Sequence, residues 1–166
     1  IVEEWVGHLL EAQPAAITLH ARTRKEMSKG PADWDSVRRA VEVTRESARW
    51  RSTLIIGNGS VDSPREARER AVESGGDGVM LGSAIFGNPW LFANQVPDLY
   101  GRLTVMLEHA RLFEELLGAH KNFSIMRKHF GAYASGFDGA AELREKLMKT
   151  ENADEVEEIV FNHLSI

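Results

Sequence analysis

The sequence predicts an α/β fold with a parallel sheet, followed by a smaller region that is entirely helical. Three short apolar runs, at residues 16–19, 54–56 and 78–81, alternate with segments whose apolar residues recur at helical spacing. Strands that alternate with helices are typical of a parallel sheet, because each helical crossover returns the chain to the same end of the sheet. No strand pattern occurs after about residue 92, so we divide the chain into domains 1–97 and 98–166.

Most of the predicted helices in the first domain have a recognisable start or end signal. The opening helix has apolar residues at helical spacing from the first residue onward. Asp33 is placed to cap the second helix. Ser63, followed by a proline and then by Glu66, has the pattern of a capping box, and Gly75 is suited to end that third helix.

The sequence of the second domain predicts only helices. A polar connector precedes it, and we expect helices that begin near residues 104, 123, 140 and 153. Asn152 and Glu155 form a cap for the last of these helices.

Composition excludes several classes of protein. The chain has 166 residues, 43% of them hydrophobic and 27% charged, which is ordinary for a soluble domain. No apolar run approaches the ~20 residues of a membrane span, and no secretion signal is visible. Without cysteine, neither a disulfide nor a thiolate metal site is possible, and the net charge of −5 argues against a generally basic nucleic-acid binder. These features fit a cytoplasmic protein.

The first residue, Ile1, already belongs to a helical pattern, so we expect the chain to be a fragment. Three parallel strands are too few to close a barrel, and the outer two would expose unpaired backbone groups. We therefore expect the missing strands on another segment, or a partner that associates with these edges, including a second copy of the chain. A third alternative is that this segment adopts a non-native arrangement.

Two glycine turns suggest a phosphate-binding site. The segment LIIGNGS (54–60) and the segment GVMLGSAIFGNPWLF (78–92) are apolar runs that each end at glycine. In the second, Asn88 and Pro89 form a helix-start signal, so backbone N–H groups and a helix dipole would face an anion there. In (β/α)8 barrels such a site follows strands seven and eight, which favours three βα units of a barrel.

Histidines and basic clusters are the other candidates. His20 ends a strand, where barrel enzymes hold their catalytic groups, although a lone histidine is also often structural. The basic residues form two groups: Arg22, Arg24 and Lys25, and Lys121, Arg127, Lys128 and His129. Such groups are often solvated surfaces, but if both lined one cleft they could hold a polyanion. Nothing in the sequence groups the other helical histidines as metal ligands.

Four ordered segments resemble the bacterial tRNA-dihydrouridine synthases over nearly the whole chain. They are HARTRKEMSKGPADWD (20–35), LIIGNGSVDS (54–63), DGVMLGSAIFGNPWLF (77–92) and MRKHFGAYASGFDGAAELREKL (126–147). The resemblance implies an FMN-binding (β/α)8 barrel followed by a helical tRNA-binding domain. It also implies an oxidoreductase in which NADPH reduces the flavin, the flavin passes a hydride to uridine, and a barrel cysteine acts as general acid.

Matched position by position, the resemblance assigns two sets of residues. The cofactor-binding set is His20 beside FMN, Asn58, Gly59 and Ser60 in the turn after strand seven, and Gly82 with Ser83 at the FMN phosphate after strand eight. The RNA-binding set is Arg22 and Arg24 beside the active site, and Lys121, Arg127 and Lys128 in the helical domain.

The departures from the family pattern limit what we expect of the isolated chain. Ser83 stands where the family has an arginine, so a charged, forked phosphate partner is replaced by a hydroxyl. Ser28 stands where a tyrosine is frequent, and the family's catalytic cysteine and flavin-contacting lysine belong to an earlier part of the barrel. We therefore expect weak or absent FMN binding and no catalysis by this polypeptide alone. The alternatives are another flavin- or phosphate-binding barrel enzyme, or a non-catalytic RNA-binding or assembly module.

Overall fold

A computed structural model describes residues 1–26, 30–93 and 95–164, which form two compact units, Ile1–Ala84 and Ile85–Ile166. The departure noted at Ser28 lies outside the described residues. In chain order the first unit contains α1 (Val2–Glu11), β1 (Ala16–His20), α2 (Trp34–Glu46), β2 (Leu54–Asn58), α3 (Pro64–Ser74) and β3 (Gly78–Met80).

The predicted parallel sheet is confirmed, with strand order β1-β2-β3. The register pairs His20 with Asn58, and Asn58 in turn with Met80. The last residues of all three strands therefore lie side by side at one edge of the sheet. This edge is where the two sequence-predicted turns leave the strands.

Alternation along the strands gives the sheet one covered face and one bare face. Ile17 and Ile55 point into a core that α1 and α2 complete. The buried helix residues of this core are Val6, Leu10, Val37, Ala40 and Val41. On the opposite face Leu54 and Met80 remain about half exposed, at 47% and 48%. The bare face is thus apolar in part and continuous with the carboxyl edge.

Asp77 fixes the pairing of β2 with β3. Its carboxylate accepts two hydrogen bonds of 2.7 Å from the Arg45 guanidinium and one of 2.8 Å from the Ile55 backbone N–H. Its own N–H donates to the Ile55 carbonyl at 2.9 Å. Because α2, β2 and the entry to β3 meet at this one side chain, Asp77 fixes where β3 begins beside β2.

The predicted caps of α2 and α3 are confirmed, with one difference in detail. The Asp33 and Ser63 side chains accept the N–H groups of Ser36 and Glu66, respectively. The Glu66 carboxylate bonds the N–H of Asp62, one residue before the cap, rather than that of Ser63 itself. The Glu66 carboxylate thus bonds the chain just before the helix while the Ser63 hydroxyl bonds the first turn.

The second unit is helical throughout the part that the structure describes. A single-turn 3-10 helix at Ser83–Ile85 crosses the unit boundary. The elements that follow are a 3-10 helix at Leu91–Ala93, α4 (Leu99–Leu117), a 3-10 helix at Phe123–Met126, α5 (Arg127–Tyr133), α6 (Ala140–Leu147) and α7 (Ala153–Leu164). The helix predicted near residue 104 begins earlier, where Asp98 accepts the Gly101 N–H at 2.7 Å.

The helix start predicted at Asn88 and Pro89 is wrong. Among the described residues the Asn88 carbonyl accepts one backbone N–H, that of Leu91 at 3.2 Å, and a single 3-10 turn follows. The residue before a proline disfavours helical backbone, so Pro97 limits any helix here to less than two turns. A helix this short needs tertiary packing to offset the cost of nucleation, as the seven-residue α5 has through its buried Phe130 and Tyr133.

The core of the second unit lies between α4, α5, α6 and α7. Leu103, Met106, Phe130 and Leu147 are fully buried there. Glu114 on α4 accepts the Ala153 N–H, at 3.3 Å, at the start of α7, so an acidic group complements the N-terminal end of that helix. The unit therefore has its own core and its own polar links. Within the described residues no helix is long and apolar enough to cross a membrane.

Candidate functional site

The carboxyl edge of the sheet brings together three of the predicted cofactor-binding positions. His20 and Asn58 are paired in the register, and the Asn58 side-chain amide donates to the Met80 carbonyl at 2.7 Å. Gly82 follows two residues later, and a Cβ there would have one described atom within 4 Å, the Asn58 amide nitrogen at 4.0 Å. The space above Gly82 is thus open, and Asn58 ties the ends of two strands beside it.

The turn after β2 needs two unusual backbone conformations. Gly59 has φ +141°, and a Cβ there would lie 3.0 Å from the Cβ of Ala32. Ser60 has φ +50°, a left-handed conformation that costs free energy for a residue with a side chain. The Ser60 hydroxyl accepts a hydrogen bond from Arg22, which also donates to the Gly30 carbonyl at 2.8 Å. Arg22 therefore holds a fixed positive charge between the loop after β1 and this turn.

Trp34, which the sequence reasoning did not select, supports the same turn from below. Its indole Nε1–H donates to the Gly59 carbonyl at 3.2 Å. Its ring lies against Gly57, where a Cβ would be 2.8 Å from the ring atom Cη2. The guanidinium of Arg70, which belongs to α3, lies 5.8 Å from the centroid of the Trp34 ring. A glycine within a strand pattern often marks a place where another group approaches the backbone closely. Gly57, at the end of the apolar run that starts at residue 54, is such a glycine and was the available sign of this contact.

The open donors at this edge suit a phosphate. Within the described residues the backbone N–H groups of Gly82 and Ser83 have no acceptor, and the Ser83 hydroxyl is exposed with them. No α-helix begins there, so the helix dipole expected at Asn88 does not contribute. Consecutive free N–H groups and a hydroxyl are the donor types that bind phosphate oxygens. The donor set therefore fits an anion, with less positive charge than the sequence pattern predicted.

The loop after β1 carries the remaining basic residues of the first unit. Arg24 and Lys25 are exposed in a turn that Glu26 closes. The Glu26 carboxylate accepts the Thr23 N–H and hydroxyl at 2.7 and 2.8 Å, and these bonds lower the pKa of Glu26. The turn thus presents its two cations to solvent beyond His20.

The predicted basic residues of the second unit lie at or just before the start of α5. Arg127 lines a polar recess of about 450 Å³ with Asn122 and Ser124. Lys128, next in sequence, places its ammonium 5.6 Å from the Phe86 ring centroid. Lys121 is exposed in the turn before them. Arg127 and Lys128, although adjacent in sequence, therefore contact different groups.

A second recess in this unit, which we call the ring pocket, joins side chains that are distant in sequence. Its volume is about 400 Å³, and its lining residues are Ile85, Phe86, Gly87, Pro89, Val105, Glu108, His109, Leu112, His129 and Tyr133. The His109 and His129 rings lie edge to face with centroids 4.8 Å apart, and Phe86 stacks on His129 at 5.2 Å. The Tyr133 hydroxyl is 3.5 Å from His109 Nδ1.

Burial sets the protonation of these rings. It lowers the pKa of His109, and it lowers the pKa of His129 together with the neighbouring His109 and Lys128 charges. Burial also raises the pKa of Tyr133. The lowered pKa values favour the neutral form of both imidazoles near pH 7. Among the described residues no three potential ligands are grouped to hold a metal ion.

Known proteins similar to this chain belong to one family. A family model described as dihydrouridine synthase (Dus) matches residues 4–165. A probable tRNA-dihydrouridine synthase of Staphylococcus epidermidis is 33% identical over 160 residues, which cover 95% of this chain and 48% of that protein. Probable tRNA-dihydrouridine synthase 2 of Bacillus subtilis is 32% identical over 156 residues, which cover 92% and 47%. The chain spans about half the length of these curated relatives. With the resemblance of its four segments confirmed, the chain belongs to the dihydrouridine synthase family.

Proposed function

We propose that this chain takes part in the FMN-dependent reduction of uridine to dihydrouridine in tRNA. The observation that carries the proposal is the carboxyl edge of the sheet. There His20, Asn58 and Gly82 meet beside free backbone donors, in a chain of the dihydrouridine synthase family. Residues 1–97 would supply the cofactor side of the site, and residues 98–166 would supply part of the tRNA-binding surface.

The sheet is proposed to be three βα units of a (β/α)8 barrel. Two features support this assignment. One face of the sheet is bare, and within the described residues each outer strand has only one neighbouring strand. Side chains on the bare face of such a sheet fill the barrel interior once further strands close it. Those strands, or another chain at the same edges, are the partner that this proposal requires.

The residues at the edge suit the FMN phosphate and one side of the flavin. The N–H groups of Gly82 and Ser83 and the Ser83 hydroxyl would bind phosphate oxygens, and Arg22 would supply positive charge nearby. His20 would contact the flavin from the end of β1. FMN, when bound and reduced by NADPH, supplies the hydride for the uracil ring. The chain has no cysteine to donate the matching proton, so we expect no turnover from it alone.

Binding of FMN tests the cofactor half of the proposal. The probes are FMN and riboflavin, which lacks the phosphate, and the readout is the amide NMR signals of Gly82 and Ser83. We expect these signals to move with millimolar FMN and not with riboflavin, and Gly82→Asp to abolish the response. Gly7→Asp is the matched control, because a side chain there also enters open space. An equal response to riboflavin, or an unchanged response in Gly82→Asp, would contradict the phosphate assignment.

Binding of tRNA tests the other half. Phosphate contacts by Lys121, Arg127 and Lys128 predict an affinity that falls steeply as salt rises. Replacing Arg127 and Lys128 by alanine is expected to weaken filter binding and to flatten the salt dependence. Lys146→Ala, which removes an exposed lysine from α6, is the control. Binding that ignores salt, or that the double variant leaves unchanged, would remove these residues from the RNA surface.

A further inference from the structure

The ring pocket is open to a ligand. Ile85, Phe86 and Leu112 on its walls are 37%, 43% and 45% exposed, although large apolar side chains that belong to a core are normally covered. Its volume of about 400 Å³ lies within the range of pockets that hold small planar molecules. The pocket lies entirely within the second unit and shares no residue with the carboxyl edge of the sheet.

Flat rings make up much of its wall, and few polar groups accompany them. Phe86 and His129 are stacked at an angle of 20°, and His109 meets His129 edge to face. Aromatic surfaces of this kind attract planar π-systems. Neutral imidazoles each have one hydrogen-bond donor and one acceptor, so the pocket offers both kinds of group to a heterocycle.

Two charged side chains near the pocket, Lys128 and Glu108, further restrict the class of ligand that it could bind. The Lys128 ammonium lies 5.6 Å from the Phe86 centroid, where it would attract an anion next to a stacked ring. Glu108 is one of the residues that line the pocket, and an ionised carboxylate accepts hydrogen bonds but donates none. It would repel a phosphate on its own side but accept a hydrogen bond from an exocyclic amino group. A planar base with an amino group and a phosphate fits both charges.

We propose that the ring pocket binds one amino-bearing nucleobase, with the phosphate of its nucleotide next to Lys128. Adenine meets these requirements, and uracil, which has no amino group, does not. The base could belong to an RNA strand or to a free nucleotide, since the recognised chemistry is the same. This inference rests on the proposed tRNA partnership only for the source of the base. It is independent of the flavin.

The test follows the imidazole signals of His109 and His129 by long-range 1H–15N NMR in the full chain at pH 7.5. The probes are AMP, adenosine, UMP and a five-nucleotide oligoadenylate. We expect AMP to move both signals at lower concentration than UMP. A response to the oligoadenylate at lower concentration than to AMP assigns the pocket to RNA, and a response to AMP alone assigns it to free nucleotides. No response to any of the adenine probes overturns the proposal.

Matched variants separate stacking from charge. Phe86→Leu is expected to weaken the affinity for AMP and adenosine about tenfold, the effect of losing one aromatic stacking partner. Phe161→Leu is its control, because Phe161 is also 43% exposed but lies outside the pocket. Lys128→Ala is expected to weaken AMP about threefold and leave adenosine unchanged, as for an exposed ion pair, whereas Lys146→Ala changes neither. Equal effects of Phe86→Leu and Phe161→Leu, or an equal loss of AMP and adenosine binding in Lys128→Ala, would refute this geometry.

The two proposals fail separately. If tRNA binds with the expected salt dependence while the imidazole signals ignore every adenine probe, the pocket assignment is wrong and the proposed function stands. If the imidazole signals respond while Gly82 and Ser83 ignore FMN, the cofactor assignment is wrong and the pocket stands.

Discussion

Replacing Gly57 by alanine tests how firmly Trp34 holds the end of β2. A Cβ at residue 57 would lie 2.8 Å from Cη2 of the indole and closer still to Cζ3. Carbon atoms in good contact are about 3.5–4.0 Å apart, so alanine overlaps the ring by roughly 1 Å or more. The ring is restrained, because its Nε1–H donates to the Gly59 carbonyl and Arg70 lies over its face.

We expect Gly57→Ala to lower the free energy of unfolding by about 2–3 kcal/mol, in the upper part of the range for overpacking. Trp34→Ala removes the obstacle, so in that background the same change is expected to cost less than about 0.5 kcal/mol. The double-mutant cycle then gives a coupling energy of about 2 kcal/mol. Urea unfolding followed by far-UV circular dichroism measures all four free energies, and hydrogen exchange of the β2 amides locates the change.

The neighbouring strand supplies the control. Gly78→Ala places a Cβ where no heavy atom lies within 4 Å, so a general intolerance of strands for alanine would appear there too. Equal losses for Gly57→Ala with and without Trp34 would refute the reasoning, because the clash with the indole would then not be the cause.

Three further predictions concern stability and use the same urea titrations. Asp77→Asn is expected to cost about 2 kcal/mol through weakened charge-assisted hydrogen bonds, whereas Glu69→Gln, in an exposed pair, costs less than about 0.5 kcal/mol; equal costs would contradict the register role. Ser63→Ala removes the α3 cap and should cost about 1 kcal/mol; an unchanged midpoint would argue against that cap. Since the pKa values of His109 and His129 are lowered in the fold, the unfolded chain takes up protons first, and stability should be lost as pH falls below about 6.5. His129→Gln should reduce this loss, and a midpoint independent of pH between 7.5 and 5.5 would contradict it.

The sequence predicts the first unit well because its signals are local. Apolar runs bounded by glycine, and caps such as Asp33 and Ser63, depend on neighbours within a few residues, and the structure has all of them. The same locality explains the error at Asn88. The Asn-Pro pair does start a turn there, but whether the turn continues depends on Pro97, eight residues after Pro89.

The ring pocket and the role of Trp34 depend on contacts between distant residues. His109 and His129 belong to different helices, α4 and α5, and no spacing rule relates them. Trp34 begins α2 and reaches the turn after β2, so only the packing of helix on sheet brings it to Gly59. Neither the contact between the two histidines nor the one between Trp34 and Gly59 can be predicted from residue types or periodicity. Both contacts follow from tertiary packing, which cannot be read directly from a single sequence.

The contact between Trp34 and Gly57 also constrains how this sequence can diverge. A side chain cannot arise at position 57 until position 34 carries something smaller than an indole. Replacing the tryptophan first removes the hydrogen bond to the Gly59 carbonyl and so destabilises the turn. A later substitution at position 57 does not restore that bond. Among relatives we therefore expect the two positions to change together, with glycine at 57 wherever position 34 is tryptophan. Side chains at 57 should occur only in lineages that hold the turn in another way.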